Sequence, residues 1–122
     1  MNNKKFNKLI LTILFCIIAN ITYAEEEYDF DVKDVYVKTC EILHYTPIDE
    51  KIIIQSIKEG QTRYEESTRT IYIRIDQIKK GILAHEFCHV ILANRFIAYP
   101  NEFISELLAK YVEFEIQKVK DE

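Results

Sequence analysis

From Val32 to Leu43 apolar residues recur at three- and four-residue steps, at Val32, Val35, Tyr36, Cys40 and Leu43, which predicts a helix with one buried face. Asp31 stands where it can cap the first turn, and Pro47 limits the helix at its other end. Ile52-Ile53-Ile54 with Ile57 is short, β-branched and followed by Gly60, the pattern of a buried strand. The polar stretch after it, through Thr68, reads as a loop. Thr70 to Asp76 alternates strictly, with Ile71, Ile73 and Ile75 on one face and Thr70, Tyr72 and Arg74 on the other, so a half-exposed strand is predicted.

Asp76 then offers a cap for a second helix running to about Arg95, apolar almost all round through Ile78, Ile82, Leu83, Phe87, Val90, Ile91 and Leu92. A helix of that kind belongs in the middle of a domain. A third helix is predicted from near Asn101, just after Pro100, through Phe103, Leu107, Tyr111, Phe114 and Val119. The order helix, strands, helix, helix makes the chain an α+β protein.

The first 24 of the 122 residues change what has to be folded. Lys4, Lys5 and Lys8 precede an apolar run from Leu9 to Ala19, and Thr22-Tyr23-Ala24 supplies a cleavage site before Glu25. That run is shorter than the ~20 apolar residues needed to span a bilayer. Residues 1–24 are therefore expected to be a cleaved signal peptide, with residues 25–122 as one secreted or periplasmic domain that keeps no stable membrane anchor. Cys16 is a poor lipidation site, because the bulky Phe15 precedes it. Losing the three lysines takes the formal charge from −4 to −7, which argues against nucleic acid as a partner. Cys40 and Cys88 then remain, both inside apolar patterns, and plain burial as thiols is expected over a bridge.

Candidate chemistry lies in the central helix, where Ala84-His85-Glu86-Phe87-Cys88-His89 contains H-E-x-x-H. Positions i and i+4 of a helix lie about 40° apart on one face. Two imidazole nitrogens can thus converge on one zinc ion at about 2.0 to 2.1 Å. Glu86, rotated about 100° from His85, flanks the ion and can act as general base on an activated water. Hydrolytic zinc sites use three protein ligands and leave one position open. After His89 the helix continues for about six residues, the chain turns over Phe96 to Pro100, and a helix returning antiparallel brings Glu106 level with the metal. Glu102, one turn earlier, is the alternative third ligand. Cys88 is rotated off the face of the two histidines and is expected to pack, and His44 reads as a capping or surface histidine.

These residues resemble the gluzincin branch of the H-E-x-x-H metallopeptidases, the peptidase MA-like clan. Glu106-Leu107-Leu108-Ala109-Lys110-Tyr111 resembles the clan's ligand glutamate with Ala three and Tyr five residues on, and Asn101-Glu102-Phe103-Ile104-Ser105 resembles a thermolysin-type segment whose first glutamate is the ligand. The resemblance implies a minimal zincin-like domain: an N-terminal helix, a small sheet with a substrate-binding edge strand, the H-E-x-x-H helix, and an antiparallel C-terminal helix carrying the third ligand. By position, Thr70 to Ile75 would be the edge strand. The chain departs from the pattern in having Lys110 where an aspartate supporting a histidine would stand, and in lacking a downstream histidine. Tyr99, Tyr111 and Arg95 are possible oxyanion partners that nothing in the sequence ranks.

The activity implied is that of an exported zinc metallopeptidase acting on peptides or extended protein segments. The alternatives are a weakly active or inactive zinc module that binds a protein partner, and a purely structural metal site. Glu86 speaks against both, since a closed structural site has no use for a base.

Overall fold

A computed structural model describes residues 19–47, 50–95 and 101–118. Helix α1, Val32–Leu43, opens on Asp31, whose carboxylate accepts hydrogen bonds from the backbone N–H of Lys33 and Asp34 at 3.0 and 3.3 Å. These bonds satisfy two of the donors that a helix start leaves without partners. His44 ends the helix in the left-handed conformation, φ 52°, with its N–H on the carbonyls of Cys40 and Glu41. It serves as a cap and stands apart from the candidate chemistry.

Among the described residues four strands form one sheet in the order β1-β2-β4-β3, with β1 Ala19–Thr22, β2 Glu50–Ile57, β3 Arg63–Glu65 and β4 Thr70–Arg74. β1 and β4 pair parallel to β2, and β3 pairs antiparallel to β4, Tyr64 opposite Ile71. The sheet is therefore mixed. β1 lies within the stretch read as a leader, of which residues 1–18, Cys16 included, fall outside the described ones.

The structure corrects the sequence reading of the strands in three places. β4 is an interior strand; among the described residues the edges are β1 and β3, and β3 lies inside the stretch read as a loop. β2 is buried on one face only, with Ile52 and Ile54 inside and Ile53 outside. Ile75 leaves the strand for a 3-10 turn, Ile75–Gln77, and is exposed there. The same turn takes Asp76 away from any helix start, and Arg74 holds its carboxylate through Nε and Nη2 at 3.1 and 2.8 Å.

Helix α2, Lys80–Arg95, buries Leu83, Ala84, Phe87, Cys88, Val90, Ile91 and Leu92, and helix α3, Glu102–Lys118, lies against it. Asn101 caps α3, its Oδ1 accepting from the N–H of Ile104 at 2.9 Å. α3 turns Ser105, Ala109, Val112 and Ile116 inward; the larger Phe103, Leu107, Tyr111 and Phe114 face solvent. Small residues allow the close approach. A Cβ on Gly81, in the first turn of α2, would come within 2.5 to 2.9 Å of the Gln117 side chain, near the last turn of α3.

One core joins the inner face of the sheet (Ile52, Ile54, Ile71, Ile73) to all three helices. At its margin the buried carboxylate of Glu50 accepts hydrogen bonds from Tyr36 and Tyr45 hydroxyls at 3.3 Å each and from Asn94 Nδ2 at 2.9 and 2.8 Å. A carboxylate is costly to bury unless it is hydrogen-bonded in this way, and these partners tie β2 to α1 and α2. Cys40 and Cys88 are buried free thiols, and burial pushes each thiol up to about 12.

Candidate metal centre

Because α2 and α3 run antiparallel, residues late in one helix meet residues early in the other. His85 meets Glu113, and His89 meets Ser105 and Glu106. The single turn separating His85 from His89 puts both rings on the α3 side of α2, with centroids 5.1 Å apart. Glu106 divides its carboxylate between them, Oε2 lying 3.3 Å from His85 Nε2 and Oε1 2.9 Å from His89 Nε2. Glu102 has no place in this group. It is exposed in the first turn of α3, where a carboxylate favours the positive end of the helix dipole.

His85, His89 and Glu106 thus offer two nitrogens and an oxygen within 4.8 Å of one another, a set able to hold a metal ion. The spacing suits zinc. Ligands at about 2.05 Å from a tetrahedral ion stand roughly 3.3 Å apart, close to the 2.9 and 3.3 Å between the imidazole nitrogens and the carboxylate. The other nitrogen of each ring is occupied, His85 Nδ1 lying 3.0 Å from Glu113 Oε1 and His89 Nδ1 3.0 Å from Ser105 Oγ. A metal would require the tautomer in which Nδ1–H donates to these oxygens and leaves each Nε2 lone pair for the ion. Burial, with His85 beside it, lowers the pKa of His89 against the opposing pull of Glu106, which favours the neutral ring that ligation needs.

Beyond the three donors lies a cavity of about 390 Å³, walled on the far side by Thr62, Arg63, Tyr64 and Glu66. Glu86 forms part of its lining and is otherwise buried. Desolvation, reinforced by the charges of Glu106 and Glu113, raises its carboxyl pKa from 4.5 to about 7. A carboxyl in that range takes up and releases a proton near neutral pH. Other residues weighed from sequence lie elsewhere. Cys88 is packed in the core, Arg95 donates from Nη1 to the Leu43 carbonyl at 2.7 Å, Tyr111 faces solvent, and Tyr99 is outside the described residues.

Glu113, Ser105 and the β3 wall were not evident from sequence. Glu113 follows Glu106 by seven residues, two helical turns, so the two share a face of α3. It supports His85 although Lys110 occupies the position where the resemblance led one to look. Replacing Glu113 by Ala is expected to weaken zinc binding 10- to 100-fold, the usual cost of losing a ligand's supporting group. Competition with a chromogenic chelator measures it, and an unchanged affinity would remove Glu113 from the site.

No protein-family model matches the chain, nor does any curated protein or solved structure.

Proposed function

We propose that the chain is an exported zinc metallopeptidase of the gluzincin type, with a zincin-like fold, that hydrolyses peptide bonds in extended substrates. The observation that carries this is the convergence of two imidazole Nε2 atoms and one carboxylate at the floor of an open cavity, with Glu86 in its lining. His85, His89 and Glu106 would hold the zinc. When bound, zinc polarises a carbonyl and acidifies water at the site.

The remaining work falls to the chain's own side chains. Glu86 takes the proton from the attacking water and, near its raised pKa, can pass it to the departing amine. Glu113 and Ser105 hold the two imidazoles in the ligating tautomer. β3, paired on one side with β4, carries no strand on its other side among the described residues. An extended peptide can add to that side by main-chain hydrogen bonds, which draws it along the cavity wall formed by Thr62, Arg63 and Tyr64.

Purified chain loaded with zinc is expected to cleave a mixed library of extended peptides, to lose the activity on chelation and to regain it when zinc is restored. Stoichiometric zinc without cleavage would overturn the peptidase assignment in favour of a metal-binding module. A chain that takes up no zinc would overturn both.

A further inference from the structure

Five solvent-facing residues of α3 form a second seam independent of the metal centre. Ile104, Leu107, Tyr111, Phe114 and Lys118 follow one another at alternating three- and four-residue steps, the spacing of coiled-coil core positions. Leu107 and Phe114 are each 60 % exposed, and Phe103 beside them is 75 % exposed. The inward row, Ser105, Ala109, Val112 and Ile116, lies on the opposite side of the helix. Two domains joined through the outer row would therefore project away from each other. Glu106 and Glu113 occupy a flank between the two rows and stay clear of the seam.

We propose that this face pairs with the same face of a second copy of the chain, the two α3 helices running parallel. The flanking charges fix both partner and direction. In a parallel pair, a residue beside the seam meets the residue five positions further along the other helix. Lys110 then meets Glu115 of the second copy, and Phe103 meets its Leu108. The match occurs twice by symmetry. In an antiparallel pair Lys110 and Glu115 do not meet. The chain's net negative charge disfavours an anionic lipid surface as the occupant.

Sedimentation equilibrium of the full chain up to about 1 mM, where a dimer of that dissociation constant is substantially formed, tests the pairing. The average mass is expected to rise with concentration toward twice 14.5 kDa. Leu107→Glu with Phe114→Glu, both at exposed sites, should raise the dissociation constant roughly 100-fold or more while leaving the circular dichroism spectrum unchanged. Lys110→Glu and Glu115→Lys should each weaken self-association, because each creates like-charge contacts across the seam. An equimolar mixture of these two variants should associate again. Failure of the mixture to associate overturns the parallel register. A wild-type chain that stays monomeric throughout overturns the second copy as occupant. Binding of that monomer to neutral phosphatidylcholine vesicles would then assign the face to lipid. Cleavage of residues 1–18 by protease only in the Leu107→Glu/Phe114→Glu variant would assign it to the chain's own apolar N-terminal segment.

Discussion

Glu86→Gln is expected to keep one equivalent of zinc and to lower kcat about 10²- to 10⁴-fold, the contribution of a positioned general base. The amide preserves the shape of the buried side chain and removes only its ability to take a proton. None of the three metal donors is touched. Zinc content by atomic emission and peptide cleavage, measured on one preparation, separate the two effects. Equal turnover by wild type and variant would show that some other group accepts the proton, and loss of zinc would show that Glu86 shapes the metal site itself.

The second large effect distinguishes two glutamates one turn apart. Glu106→Ala should lower zinc affinity by more than the roughly 100-fold ceiling typical of supporting residues, because it deletes one of three donors. Glu102→Ala should leave affinity unchanged, since Glu102 is exposed in the first turn of α3 and absent from the donor group. Isothermal titration of both variants with zinc decides the matter. Loss of zinc at Glu102→Ala with retention at Glu106→Ala would exchange their roles.

The parts of this architecture that were legible in the sequence depend on short-range chemistry. Asp31 capping α1 and the period from Val32 to Leu43 are local facts, and α1 occupies that span. The H-E-x-x-H spacing dictates that two imidazoles share a helix face. Glu106 could be reached by counting residues out along one helix and back along the next. What was not legible depends on partners distant in the chain. Arg63-Tyr64-Glu65 has no apolar alternation, and becomes a strand through pairing with β4 across a turn in which Arg69 takes φ 53°. Apolar periodicity alone does not mark the inner face of α3, because Ser105 and Ala109 weigh little in hydrophobicity. Their small size is nevertheless what lets α3 approach α2. Glu113 could not be singled out among the acidic residues of α3 without knowing how the helices are aligned.

Asn94, bonded to the buried Glu50 carboxylate, and Gly81, seated against Gln117, lie near opposite ends of α2. The histidine-bearing helix is thus anchored like a beam on two supports, and neither support involves His85, His89 or Glu106. An arriving ion meets donors already gathered to within 4.8 Å, so little of its binding energy is diverted into ordering the polypeptide.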